Sequence, residues 1–453
     1  MKNCHSRFNA VAAALLACSA ALASQAALAV DIQFRSFSAS AAIGPPAEEY
    51  ARKLKNITTT ALGPGSEVNF VKLCGTPTPS NPCPIPAINA KFGGDIVAAV
   101  AEGRTLASGL VGFDAAYISG GDLNRAWGFL YNSAVPFGPT FDEYMGFLYG
   151  RSVDGGAQTG LDLLQSLLDK RGVVAIPIVG SPEQGSGWFP QPIGDVPGRD
   201  GIGLKGLCQS GWTMRYLPPA EFVLGRACDN LVGSAKNIKF IAAVPGGGSL
   251  LAGVRANTLH AFEFATPTDD ISQLFVGADN PGTVSSASFG PPRFLHFPGW
   301  QQQFLLTHMI VNKQVWDRLS PGQQELAKSM GRDHVVSSYG ENLMTQGPSL
   351  SFILDVNRYD TNPNNDIVLT AWPKKDLELL RDATIQFLNA RANDHPALNL
   401  DDLQDYVTIL EALRKYVRSN DLYWDVRQVP TRMRFDDWEN AAGESWGEKQ
   451  KRK

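Results

Sequence analysis

Between Leu259 and Ala265 a single acid, Glu263, interrupts a mostly apolar run, and the segment continues Thr266-Pro267-Thr268-Asp269-Asp270. Upstream, Gln184 stands just before Gly187-Trp188-Phe189, and Arg215 stands inside Trp212-Thr213-Met214-Arg215-Tyr216-Leu217. A carboxylate or guanidinium is expensive to bury without an opposite charge beside it. Three such residues, each in a stretch with little other charge, suggest a closed polar site in which an anion pairs with Arg215 and a cation neutralises Glu263. A plainer arrangement meets the same cost, with Arg215 and Glu263 paired to each other or turned to solvent.

The order of short segments around these residues adds to that reading. Val135-Pro136-Phe137-Gly138 comes first, then Gln184-Gly185-Ser186-Gly187-Trp188-Phe189, then Gly203-Leu204-Lys205-Gly206-Leu207 leading to Met214-Arg215. Asn257 to Asp270 follows, and Pro298-Gly299-Trp300 is last, with Val311-Asn312-Lys313 and Trp316-Asp317-Arg318-Leu319 behind it. Across residues 31 to 345 this order resembles the periplasmic solute receptors of TRAP transporters (the DctP-type family), in particular the branch that takes 2-oxo and 2-hydroxy monocarboxylates. The sequence departs from that pattern at Asn257, His260 and Phe264, where the family has Gly, Asp and Trp. About ten extra residues, one of them a cysteine, separate Lys205 from Arg215.

The resemblance implies a two-lobed α/β periplasmic binding protein with a ligand cleft between the lobes and long C-terminal helices. It implies that Arg215 meets the carboxylate of a small organic acid anion. Gln184, Glu263 and the backbone carbonyl of Phe264 would hold a metal cation, sodium or calcium. A backbone ligand survives Trp→Phe. Gln184, Trp188 and Phe264 are then expected at the substrate, and Trp188, Trp212, Phe264 and Trp300 as walls. The partners implied are the membrane subunits of a TRAP transporter, and the C-terminal region could support a homodimer, as in some relatives.

The first residues read as an export signal. Lys2 and Arg7 supply a positive start, Ala10 to Ala23 an apolar run, and Ala27-Leu28-Ala29 a small-x-small cleavage site. A weaker lipobox, Leu15-Leu16-Ala17-Cys18, offers an alternative. Loss of residues 1–29 leaves 38 basic and 44 acidic residues, a net charge of −6. A mildly acidic chain without basic clusters argues against nucleic acid. About 420 remaining residues are too many for one simple core and fit two lobes.

Cys74, Cys83, Cys208 and Cys228 remain after cleavage, an even number that suggests two disulfides in an oxidising compartment. Three pairings are possible. The favoured one joins Cys74–Cys83 across a turn-rich loop and Cys208–Cys228 around Arg215, each closing a loop worth roughly 2.5–3.5 kcal/mol.

The element pattern alternates. Ile32 to Phe37, Val68 to Leu73 and Val111 to Ile118 read as strands, with helices over Pro46 to Lys55 and Gly94 to Glu102 between them. Such alternation predicts a mainly parallel sheet, whose ligands bind beyond the carboxyl ends of the strands. That rule puts Tyr117 near the site, though plain core suits it equally. Helical segments follow, from Phe141 and over Leu161 to Leu168. Val173 to Val179 reads as a buried strand crossing into the second lobe, and Phe240 to Pro245 as another strand. Gly246-Gly247-Gly248-Ser249 reads as a helix start. Ser320-Pro321 signals a helix over Gly322 to Met344, with further helices over Leu377 to Asn389 and Leu400 to Val417. The expected division is a signal at 1–29, lobe I at 30–172, lobe II at 173–310 and a C-terminal helical region at 311–453 packing across the lobes.

Two other classes compete with a receptor for transport: a periplasmic enzyme and a sensory receptor for a small carboxylate. The sequence has no His-Glu-x-x-His and only six histidines in all. His260, the one histidine in the key segment, reads as a hydrogen-bonded structural residue.

Overall fold

Long apolar strands build one half of the molecule and short ones the other. The computed structural model describes residues 31–36, 47, 49–54, 67–72, 96–103, 114–118, 135–151, 158–216, 218–241, 247–274, 292–359, 366–394 and 400–427. The strands are β1 (Asp31–Ser36), β2 (Glu67–Lys72), β3 (Ala115–Ile118), β4 (Val173–Ser181), β5 (Gly187–Phe189) and β6 (Thr213–Arg215). They continue as β7 (Lys239–Phe240), β8 (Ala261–Phe262), β9 (Phe294–Phe297), β10 (Leu305–Asn312) and β11 (Val368–Ala371). Two sheets result, one in the order β2-β1-β3-β10-β4 and one in the order β11-β9-β5-β8-β6-β7.

Each sheet is mainly parallel with one strand reversed. β10 runs antiparallel to β3 and β4, and β5 runs antiparallel to β8 and β9. The chain leaves the first sheet after Ser181 and enters the second at Gly187. It returns at Leu305 and joins the second sheet again at β11. These crossings differ from boundaries after residues 172 and 310, because β4 and β10 both belong to the first sheet. The reason is burial: every residue of β4 and of β10 is buried, and strands buried on both faces need a sheet covered on both faces.

The cover on β4 is the helix Pro321–Asp355. It starts where Ser320-Pro321 predicts, with Ser320 Oγ accepting from the Gln323 N–H and Gln323 Oε1 accepting from the Ser320 N–H at 2.7 Å. Gly331 lets it approach the sheet, since a Cβ there would lie 2.5 Å from Ile176 Cγ2. Asn342 Nδ2 donates to the Gly180 carbonyl at 2.9 Å, and Ser338 Oγ accepts from the Gly180 N–H at 3.0 Å. The helix then runs past the expected end at Met344, through Pro348, to Asp355. Pro348 faces solvent while Ser349 and Ile353 are buried. Thr268, in the helix Pro267–Leu274 beside the second sheet, shares a 3.0 Å hydrogen bond with Ser349. Packing on the second half thus outweighs the proline, and one helix ties both halves together.

The C-terminal helices Lys374–Asp394 and Leu400–Arg427 also bridge. The first packs on the helix Pro218–Val232, the second on the helix Gly160–Asp169, where Arg171 meets Asp405 at 2.7 Å. Cys208 and Cys228 form the expected disulfide, with Cα atoms 5.3 Å apart. It joins the helix Gly203–Cys208 to Pro218–Val232 on either side of β6. The signal segment 1–29 and Cys74–Cys83 lie outside the described residues, as do residues 242–245 of the strand expected over Phe240 to Pro245. The helix start expected at the glycine run is seen as Gly247–Arg255. Among the described residues no helix is long and apolar enough to cross a membrane.

Candidate functional site

β6 and β8 lie side by side and parallel, with Arg215 opposite Phe262. Arg215 closes β6 and Glu263 follows β8, so both stand at the carboxyl edge of the sheet, where α/β sheets bind ligands. The ladder continues one step further, the Glu263 N–H donating to the Arg215 carbonyl at 3.0 Å. Arg215 Nη1 donates to Glu263 Oε2 at 2.9 Å and also to the Glu263 carbonyl. The two charges therefore do pair with each other. The guanidinium also lies over the Phe264 ring, 6.0 Å from its centre.

The pairing is incomplete. Arg215 Nε and Glu263 Oε1 are buried and have no hydrogen-bond partner among the described residues. Burial pushes the Glu263 carboxyl up to about 7, with Arg215 pulling the other way. Asp270 is pushed well above the usual carboxylate range by burial, with the Asp269 and Glu263 charges adding and the Trp188 hydrogen bond opposing. A region holding this much acid against one guanidinium has room electrostatically for a cation.

The segments singled out in the sequence converge here. Gly187-Trp188 of β5 lies beside Phe262 of β8, and a Cβ on Gly187 (φ +131°) would sit 2.9 Å from the Phe262 carbonyl oxygen and 3.0 Å from the Tyr216 hydroxyl. Only glycine allows that approach. Tyr216, the residue after Arg215, donates to the Ser186 carbonyl at 2.5 Å and stacks on Trp300 at 6.5 Å. Phe137, from the Val135-Pro136-Phe137-Gly138 segment, also stacks on Trp300 at 5.8 Å, and its N–H donates to the Trp300 carbonyl at 2.8 Å. Gly299 presses on Gln184 so closely that a Cβ would fall 2.0 Å from the Gln184 carbonyl oxygen. Glu183 Oε1 accepts from the Gly299 N–H at 2.7 Å.

Gln184 is buried, and its Oε1 has no partner among the described residues. Among the buried groups without partners, those of the singled-out segments are of two kinds. Arg215 Nε and Trp300 Nε1 are donors that suit an anion; Gln184 Oε1, Glu263 Oε1 and Asp270 Oδ1 are acceptors that suit a cation. Among the described residues no three His, Cys, Asp or Glu side chains gather as a metal cluster. A hard cation held by one carboxylate, one amide oxygen and a backbone carbonyl needs no such cluster, and the orphaned oxygens fit that donor set.

Other expected residues stand elsewhere. Trp188 is buried against Leu250, Phe262 and Leu295, and its indole N–H donates to Asp270 Oδ2 at 2.8 Å. Trp212 packs in the core with Phe189 and Met214. Tyr117 belongs to the first-sheet core, with Tyr50, Ile176 and Met309. His260 has a structural role: its Nδ1 accepts from the Thr213 N–H at 3.1 Å. Sequence reasoning left out Tyr216 and Asp270. Tyr216 could have been found as the aromatic next to Arg215, whereas the bond from Trp188 to Asp270, 82 residues apart, leaves no local signal.

No protein-family model matches the chain, and no curated protein matches it in sequence. Solved structures do match in shape. A TRAP transporter solute-binding protein from Bordetella bronchiseptica RB50, with calcium and picolinate bound, superimposes with a TM-score of 0.61 at 15% identity, covering 88% of this chain and 95% of that one. One from Colwellia psychrerythraea, with calcium and pyruvate, gives 0.60 at 16% identity, covering 88% and 97%. One from Pseudoalteromonas atlantica T6c, with sodium and pyruvate, gives 0.57 at 18% identity, covering 88% and 100%. The chain has the two-lobed α/β fold of the TRAP periplasmic solute-binding proteins.

Proposed function

We propose that this protein is an extracytoplasmic solute receptor of a TRAP transporter that binds a small organic monocarboxylate, a 2-oxo or 2-hydroxy acid, together with sodium or calcium. It passes the acid to the membrane subunits and does not transform it. The observation that carries the reading is the buried pair of Arg215 and Glu263 at the carboxyl edge of the second sheet, with Arg215 Nε and Glu263 Oε1 left without partners among the described residues. The export signature of residues 1–29 supports the compartment. The similar structures with calcium or sodium beside pyruvate or picolinate support the ligand class.

Arg215 takes the carboxylate, and Gln184, Glu263 and the Phe264 carbonyl take the cation. The cation supplies charge compensation for Glu263 and a second anchor for the acid. Binding then completes the hydrogen bonding of groups already buried, which costs little further desolvation. A pyruvate-sized acid of about six heavy atoms reaches at best about −9 kcal/mol, close to the −8.2 kcal/mol of micromolar affinity. Such a ligand must use nearly every polar atom it has.

Titration calorimetry with pyruvate and lactate, in cation-free buffer and then with sodium or calcium, tests the proposal. Affinity should rise when the cation is present, and Glu263→Gln should weaken cation and acid together. Equal affinity with and without cation would overturn the linkage, and turnover of the bound acid would overturn the receptor class.

A further inference from the structure

Trp300 is fully buried, and its indole N–H has no hydrogen-bond partner among the described residues. A buried indole N–H left unpaired costs free energy comparable to a lost hydrogen bond, so such groups nearly always find an acceptor. The ring is held from several sides. The Trp300 N–H of the main chain donates to the Pro298 carbonyl at 2.9 Å, the Phe137 N–H donates to the Trp300 carbonyl at 2.8 Å, and Gly299 is pressed against Gln184. Phe137 and Tyr216 stack on it, and Trp372 meets it edge-on at 6.3 Å. Tyr216 follows Arg215 directly, so the stack ties the Trp300 ring to the end of the strand that carries Arg215.

We infer that Trp300 is a specificity-determining residue that donates its indole N–H to the oxygen on carbon 2 of the bound acid. The inference rests on the receptor reading above. The carboxylate of the acid matches the fork of Arg215, which carries its own unpartnered Nε. A neutral, single N–H fits the acceptor that remains, a 2-oxo or 2-hydroxy oxygen. An acid with no oxygen on carbon 2 leaves the indole orphaned inside the closed site. Sites built to hydrogen-bond one ligand atom reject analogues lacking it far more strongly than hydrophobic pockets reject a missing methylene. Trp300 therefore separates 2-oxygenated acids from plain fatty acids, while Arg215 holds all carboxylates alike.

Titration calorimetry of wild type and Trp300→Phe with pyruvate, lactate and propionate, each with calcium present, tests this. Phenylalanine keeps an aromatic ring and removes the N–H. Pyruvate and lactate should weaken by about tenfold or more and propionate by less than about threefold, so the preference for the oxygenated acids collapses. Equal losses for all three acids would make Trp300 a wall only, and no loss for any would remove it from the site; either result overturns the inference and leaves the receptor reading standing. If wild type bound none of the three acids with sodium or calcium, the receptor reading itself would fall, and the inference with it. Should Trp300→Phe not fold, indole ¹⁵N–¹H spectra of the wild type carry the test. The assigned Trp300 signal should move and exchange more slowly with pyruvate but not with propionate, and an unmoved signal would overturn the assignment.

Discussion

The two sheets handle polarity in opposite ways. In the first, β4 and β10 bury nine and eight residues in a row, and their neighbours are the aliphatic and aromatic side chains of two core clusters. In the second, strands of two to four residues end within reach of one another, and polar side chains fill the gaps between them. Ser186 binds the His296 carbonyl, and Trp372 Nε1 donates to Ser186 Oγ at 2.5 Å. His296 accepts from the Ile193 N–H at 2.9 Å and, held down to about 3 by burial, stays neutral. The first sheet is stabilised by area and the second by particular bonds. A site that must hold charges out of water is built on the second, where each strand end offers a different residue.

The contrast can be broken at either sheet. Ile310 is fully buried in β10, so Ile310→Ala should lower stability by about 2–5 kcal/mol. Affinity of the folded protein should change little, because Arg215 and Glu263 lie on the other sheet. Chemical denaturation and titration of one sample check both halves of that statement.

In the second sheet, Cys208→Ala with Cys228→Ala opens a disulfide spanning 20 residues with β6 inside it. About 3 kcal/mol of stability should go, and affinity for acids should fall as well, since the freed segment carries Arg215. A stability loss with unchanged affinity would show that the strand ends need no staple.

Arg215→Lys sharpens the contrast further. Lysine offers one point charge where arginine offers a planar fork. Binding should lose more than the ~1.5–3 kcal/mol of a typical charged hydrogen bond, by a similar amount for every acid tested. Because Arg215 also pairs with Glu263, a purely structural role would show the reverse: a lower melting temperature and intact affinity.

These differences also explain what the sequence made legible. β4 and the start of the helix Pro321–Asp355 are written locally, in an unbroken apolar run and in the Ser320-Pro321-Gly322-Gln323 capping box. The helix end is not, because Pro348 argues for a stop and only the distant contact of Ser349 with Thr268 overrules it. The candidate charges Arg215 and Glu263 stood out as isolated polar residues, yet their contact depends on the parallel register of β6 with β8, which nothing within either segment sets. Tyr117 shows the limit of position alone. It stands next to the end of an apolar strand, as a ligand residue would, and it packs into the first-sheet core.

The smallest expected effect is a pH dependence confined to the second sheet. A carboxyl with an ordinary value of 4.5 that burial raises to about 7 binds its proton more tightly folded than unfolded. Between those values the folded state holds more protons than the unfolded one, so stability falls as pH rises. The stabilising contribution is fully present below about 4.5 and is gone once pH has passed through about 7. In cation-free buffer, raising pH from 5.5 to 7.5 should therefore cost on the order of 1–2 kcal/mol through Glu263. Glu263→Gln should remove that part of the slope and leave what Asp270, raised in the same direction, adds. Saturating calcium should flatten the wild-type slope, because a bound cation stabilises the ionised carboxylate that the empty site disfavours. Melting curves at three pH values, with and without calcium, give the answer. A slope that calcium left untouched would separate Glu263 from the cation, and would show its raised value to be a matter of burial against Arg215 alone.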